Sequence, residues 1–342
     1  MSCTIRNLAL GGLALAMTAC SQSASNNNAP DAPIETWRPF ADDSPWNTKI
    51  ADNPVIDPAS DALIADFASK GALYINIAEW SVPVYYIDMS ETPKHDVIDL
   101  YPGAFGRGFE PPRAIPIPDD ATPAQPVKGV GYIAIVDKVR NLEWDMRQAF
   151  KREDGRWLTG FGVVTNLRGS GVAKPWHEAE DPKYAASAMA SGFPLTAGLI
   201  RVDEIKAGRI PHALMFAYPG ARTDAFIPPA STAIASGQYI ERRDTGMPVG
   251  ARIQLDPAFD VGGSTLSPEG KVIARALQEY GAYLSEDAGG NVLFAESGPE
   301  QLKAWDGVLA SDALQAVFTP EAMAKHFRLI DMGDVLPGQP AE

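Results

Sequence analysis

Short apolar runs closed off by chain-breaking residues constrain this chain more than any other feature. Residues 72–77, 82–87, 132–137, 142–146, 157–167, 199–202 and 212–218 are rich in β-branched or aromatic side chains and are bounded by Gly, Pro, Asn or Asp. Runs of this kind read as strands, and many short strands joined by turns favour a sandwich or barrel-like sheet. The 29 prolines and 30 glycines of the chain supply the punctuation. Six of those prolines fall within residues 109–127. Proline has no N–H to give a ladder, so this segment is expected to be an extended surface loop that shapes the rim of a cleft.

Helices are expected around this body. Residues 57–70 place Leu63, Ile64 and Phe67 at helical spacing behind the turn pair Asp57-Pro58, which predicts an early surface helix. Ser267-Pro268-Glu269 offers an N-cap with proline at the first helical position, and Val272, Ile273, Leu277 and Tyr280 mark one face as far as Gly281. Residues 283–287 and 291–296 read as a hairpin through Ala288-Gly289-Gly290. Two more helices are expected over 299–327 and a final short strand over 327–330. The fold class is therefore α+β: a β-rich sandwich or barrel-like body with several peripheral and C-terminal helices, one domain over 36–335 and a tail over 336–342.

The first 35 residues carry a different message. Arg6 gives a positive n-region, residues 8–17 an apolar stretch, and Thr18-Ala19 the small residues that precede a cleavage site. That stretch is too short to span a bilayer, which takes about 20 residues. Residues 1–19 are read as a signal peptide and residues 20–35, rich in Ser, Asn, Ala and Pro, as a flexible tether. The chain has two cysteines, Cys3 and Cys20, so removal of the leader leaves Cys20 alone and no internal disulfide. The domain must then be held by its own core, which its length permits.

Of the 342 residues, 43 are acidic and 29 basic, a formal charge of -14. That balance offers no electrostatic footprint for nucleic acid. Arg168-Gly169-Ser170-Gly171 has the glycines of an anion-binding turn, with Arg168 a candidate substrate contact, but it fits neither phosphate-loop pattern, so nucleotide binding is not expected. Ser170 also lacks the spacing of a nucleophile elbow. The four histidines, His95, His177, His212 and His326, show no zinc-site spacing. No cofactor is expected; Asp256, Asp260 and Asp287 leave calcium open without any EF-hand loop.

The candidates for chemistry lie in three places. Alternation along 142–146 puts Glu143 and Asp145 on one face, opposite Leu142, Trp144 and Met146. Two carboxylates about 6.5 to 7 Å apart along a strand are either an acid/base pair for glycoside chemistry or a solvated face. Arg201 sits in the apolar run 198–202 and needs a carboxylate, from Asp203, Glu204 or Glu143, unless it clamps a substrate anion. His212 shares a face with Leu214 and Phe216; it is either a satisfied core histidine or the best acid/base group, acting with Glu204. In the loop 174–178, Trp176 and His177 are candidates for stacking on a sugar, with the rival that Trp176 folds back as a plug.

Leu15-Ala16-Met17-Thr18-Ala19-Cys20 resembles the lipobox of bacterial lipoproteins, which implies lipidation of Cys20; Ser21 implies outer-membrane retention. Ser44-Pro45-Trp46-Asn47, Leu142-Glu143-Trp144, and above all Gly198-Leu199-Ile200-Arg201-Val202-Asp203-Glu204 followed by Gly208-Arg209-Ile210-Pro211-His212-Ala213-Leu214, are similar to a little-characterised family of secreted bacterial proteins. This resemblance implies a secreted habitat and no reaction. The functional expectation is an exported, lipid-anchored envelope protein, either a polysaccharide hydrolase or lyase using Glu143, Asp145, Glu204 and His212, or a module that binds polysaccharide or peptidoglycan without turnover. A structural lipoprotein is the third possibility.

Overall fold

Two hydrophobic cores share one sheet, and that arrangement positions everything else. The computed structural model describes residues 36–103, 108–124, 131–179, 187–237 and 240–339. The signal peptide, Cys20 and the tether fall outside the described residues, as do the ends of the proline-rich loop and of the tail. Residues Glu35–Glu342 form one compact unit.

The larger sheet has six strands in the order β1 (Leu73–Asn76), β14 (Asn291–Phe294), β10 (Leu214–Ala217), β13 (Ala282–Glu286), β12 (Arg252–Leu255) and β16 (Phe327–Leu329). Parallel pairs β1/β14 and β10/β13 mix with antiparallel ones. A five-stranded sheet runs β15 (Glu296–Ser297), β2 (Val82–Tyr86), β5 (Tyr132–Asp137), β6 (Leu142–Arg147), β9 (Phe161–Asn166). Four strands, β4 (Ala114–Pro116), β3 (Lys94–Asp99), β8 (Trp157–Thr159) and β7 (Phe150–Lys151), and the pair β11 (Ala225–Phe226) and β17 (Leu336–Pro337), complete a body that is mostly sheet. Among the described residues five α-helices lie around it: α1 (Ser60–Ser69), α2 (Val202–Lys206), α3 (Pro268–Glu279), α4 (Pro299–Trp305) and α5 (Pro320–His326). The expected α+β, β-rich fold is what the chain adopts.

Local chemistry explains several elements as read. Ser267 Oγ accepts the Gly270 N–H at 3.1 Å at the start of α3, with Pro268 at the first helical position. Gly281 ends the helix at φ +68, a conformation open to glycine. The early helix α1 is less superficial than expected, because Ile64, Phe67 and Ala68 are buried in the main core.

Other elements differ from the reading. Residues 157–167 form two strands in two sheets, broken at Gly160. The proline-rich stretch contributes the short strand β4, paired to β3. Residues 282–286 and 291–294 are not a hairpin: β10 lies between them, pairing Phe216 with Leu293 on one side and Leu214 with Ala282 on the other. A strand buried at all four positions gains more from two neighbours than a sheet edge would give it. Residues 199–202 are not a strand either. Only Ile200 bridges the sheet, to Ala295, and Val202 already begins α2.

Gly198 sets the path into that helix. Its φ is +66, and a Cβ there would stand 2.7 Å from Met215 N and 2.8 Å from Leu214 C. Only glycine lets residues 198–201 run this close to β10.

The two cores explain the carboxylate face. On β5, Ile133 and Ile135 enter a smaller core with Trp144, Met146 and Trp157, while Ala134 and Val136 enter the main one. The neighbouring β6 has the same period, so Glu143 and Asp145 point away from the smaller core, toward the segment 187–197. They meet protein there instead of water.

Candidate functional site

Glu143, Asp145, Arg201, Glu204 and His212 come together, but as a closed chain of buried polar groups. Thr196 donates its N–H to Glu143 Oε1 at 2.8 Å and its hydroxyl to Glu143 Oε2 at 2.7 Å. Asp145 Oδ2 accepts from Ser187 Oγ at 3.0 Å and Leu195 N at 3.1 Å. Asp145 Oδ1 is buried and receives no N–H or hydroxyl, and this carboxyl hydrogen-bonds Glu143. Burial, then the Glu143 charge, push the Asp145 carboxyl well above the usual range, and burial raises Glu143 as well. Two adjacent carboxyl groups out of water hold one proton between them; carried on Asp145, it is donated to Glu143.

Thr196 also links this pair to the next group, since its carbonyl accepts from Arg201 Nη2 at 2.9 Å. Arg201 Nη1 lies 3.2 Å from Glu204 Oε1 and 2.8 Å from His212 Nε2. Nε2 is in turn 3.0 and 3.1 Å from the Glu204 oxygens, while Nδ1 faces Ala213 O at 2.8 Å and so carries a proton. Burial alone would raise Glu204, but His212 and Arg201 outweigh it and hold the carboxyl below its ordinary value. Glu204 Oε2 also accepts the Arg201 N–H at 3.3 Å, closing the first turn of α2. Of the three acids offered for Arg201, Glu204 is its ion-pair partner.

This geometry changes the roles assigned from sequence. Glu143, Asp145 and Glu204 are 0% exposed, Arg201 1% and His212 2%. Their hydrogen bonds go to one another, to the Ser187 and Thr196 hydroxyls and to backbone, so they hold the 187–214 segment against both sheets. Glu143 and Asp145 are no solvated face, and neither they nor His212 meet a solvent-filled hollow. Arg201 is enclosed, its guanidinium held by Glu204, His212 and the Thr196 carbonyl.

The outlying candidates are not brought to this chain. Trp176 is half-buried and its Nε1 donates to Pro337 O at 2.9 Å, which is the plug arrangement. His177 is exposed beside it with its ring 5.6 Å away. Arg168 is exposed and donates to Arg140 O at 3.0 Å. Asp256 and Asp260 cap local turns and Asp287 pairs with Arg243 at 2.7 Å. Among the described residues, no group of three or more His, Cys, Asp or Glu side chains is placed to hold a metal ion.

An open site lies where the two large sheets meet. Residues 291–297 pass from β14 into β15 and so belong to both sheets, with Ala295 N bonded to Asn76 O and Glu296 N to Ile200 O. At this seam a cleft of about 290 Å³ is lined by Tyr86, Lys138, Asp203, Lys206, Glu296 and Glu300 among others. Glu296 accepts the Tyr86 hydroxyl on Oε2 at 2.7 Å and the Val202 N–H on Oε1 at 3.0 Å. Burial raises its carboxyl above the usual range in spite of those bonds and of Arg201. Lys138 Nζ stands 3.6 Å from the centre of the Tyr86 ring and 4.9 Å from that of Trp37, and Trp37 also lies 5.4 Å from the Arg201 guanidinium. A larger hollow of about 890 Å³ beside Leu302 and Trp305 has no buried ionisable side chain in its lining.

Sequence reading missed Trp37, Tyr86, Lys138 and Glu296, which come from four separate segments without a motif. One signal was present: Val292-Leu293-Phe294-Ala295-Glu296 ends a wholly apolar run in an acid, which must find a partner if the strand is buried. Comparison with known proteins finds no matching family model, no matching curated protein and no matching solved structure.

Proposed function

We propose that this chain is an exported lipoprotein of the cell envelope, anchored through Cys20 in the outer membrane, whose globular part binds an extracellular or envelope polysaccharide in the seam cleft without turning it over. The lipobox-like run ending at Cys20 supports the anchor. Among the described residues no helix is long and apolar enough to cross a membrane. The likeness to secreted bacterial proteins supports the same address, and its most specific run, 198–214, builds the wall between the buried chain and the cleft.

One observation carries the binding reading. The acid/base groups named from sequence are spent inside the protein, whereas the cleft sets an aromatic ring, an amine and carboxyl groups around an open space. Sugars are held by that combination of an apolar face and directed polar groups. A second reading, a polysaccharide hydrolase or lyase, is favoured by Glu296 itself. A nearly buried carboxyl with a raised pKa, facing the same cleft as the exposed Asp203, has the environment of a proton donor paired with a second acid.

The test is a panel of polysaccharides with lipid-free protein, followed by calorimetry and by assays for reducing and unsaturated ends. Binding without product is the expected result. Product that disappears in Glu296→Gln while binding persists would establish the enzymatic reading, and no binding to any member would refute both. In cells, Cys20→Ser is expected to move the chain from the membrane fraction to the soluble one; an unchanged membrane fraction would remove the lipid anchor from the account.

A further inference from the structure

The cation that the sequence offers for an anionic ligand is consumed, and another stands in its place. Arg201 is fully engaged by Glu204, His212 and Thr196 O. Lys138 lines the cleft, half-buried, and among the described residues it has no carboxylate within 4.0 Å. Asp203 and Glu296 act on it through space without pairing with it, and the Glu296 oxygens already accept from Tyr86 and Val202. Asp203 Oδ1 accepts the Glu204 N–H at 2.8 Å, and Asp203 and Glu300 lie exposed at the rim, where water and salt screen them. Lys206, on the same cleft, is likewise without an ion pair among the described residues.

Lys138 is also held in place before any ligand arrives. The Tyr86 and Trp37 rings flank its amine. Its backbone is fixed by Asp137, which accepts the N–H of Met89 at 3.1 Å and of Arg140 at 2.8 Å and pairs with the Arg140 guanidinium at 2.7 Å. Burial lowers the amine below the ordinary lysine value, and Asp203 and Glu296 offset this only in part. A partly desolvated ammonium without a counter-ion gains from a ligand carboxylate, and a pre-positioned one loses little side-chain entropy in taking it.

We infer that Lys138 is the carboxylate-recognition point of the cleft and that the glycan it takes bears uronic acid units. This rests on the glycan-binding reading above. The experiment is calorimetry with a uronate trisaccharide and its carboxyl-reduced, neutral counterpart, at about 50 and 500 mM salt, a range that shortens the screening length several-fold. Wild type is expected to prefer the uronate by about tenfold or more, and to lose that preference at high salt. Lys138→Met abolishes the preference and Lys138→Arg keeps most of it; melting curves show whether each variant is folded. Equal binding of the two trisaccharides by wild type, or a preference that survives in folded Lys138→Met, overturns the inference and leaves the cleft as a glycan site. Wild type that binds neither overturns both. If Lys138→Met does not fold, Lys138→Gln takes its place, and a uronate preference that survives in the folded variant, as Lys206 would give it, overturns the inference.

Discussion

Replacing Arg201 by Met is expected to lower the stability of the protein by about 3–5 kcal/mol, the cost of removing one partner from a buried ion pair. At about 2 °C per kcal/mol for a chain of this size, the melting temperature falls by roughly 6–10 °C. Glu204 would keep only His212 and its own backbone contact, and the Thr196 carbonyl would lose its donor, so the link from α2 to the Glu143 pair is cut. Because the two side chains act as a unit, Arg201→Met in a Glu204→Gln background costs less than it does alone, with a coupling of about 1–3 kcal/mol. A melt within 2 °C of wild type would mean that the guanidinium is not buried as described.

Asp145→Asn gives the second large effect, and its sign depends on pH. Asp145 has a folded pKa well above the unfolded value of about 3.9. The folded state then binds more protons than the unfolded one, so this group's contribution is full below about pH 4 and drains away as pH rises toward the folded pKa. Asparagine has no proton to lose: its carbonyl can accept from Ser187 and Leu195, and its amide can donate to Glu143. Relative to wild type, the variant is expected to gain stability steadily as pH climbs from about 4 to 7. Asp145→Ala loses those bonds and should be destabilised by about 1–3 kcal/mol or more. Glu204 works in the other direction. Its lowered pKa stabilises the fold above the unfolded value and is lost as pH falls through the folded one, so acid unfolding starts there. Urea unfolding over the same range and on down through the ordinary carboxylate range measures both; a constant offset between Asp145→Asn and wild type at every pH would contradict a shared proton.

The parts of the fold that local physics dictates were legible in the chain. Ser267, Pro268 and Gly281 bound a helix because caps and backbone freedom are local properties, and the alternation of 142–146 put its two acids on one side. The need of Arg201 for a carboxylate followed from the apolar run around it. What alternation could not tell is that both faces of β6 are covered, since that depends on a second core assembled from 97–157 and on the segment 187–197 folding over the first. Burial, not residue type, then turned a plausible acid/base set into a framework. The wet site was illegible for a related reason. Trp37, Tyr86, Lys138 and Glu296 meet only because residues 291–297 cross from one sheet to the other, a topology hidden by the apparent hairpin over 283–296.

The central claim is that ligand meets the seam cleft while the polar chain behind it stays closed. Hydrogen–deuterium exchange with and without saturating uronate oligosaccharide tests it most directly. The account predicts slowed exchange at the Lys138 turn, along α2 and at 296–304, with no change at 142–147 or 187–197. Ligand-dependent slowing confined to 142–147 and 187–197, with the cleft segments unaffected, would contradict it.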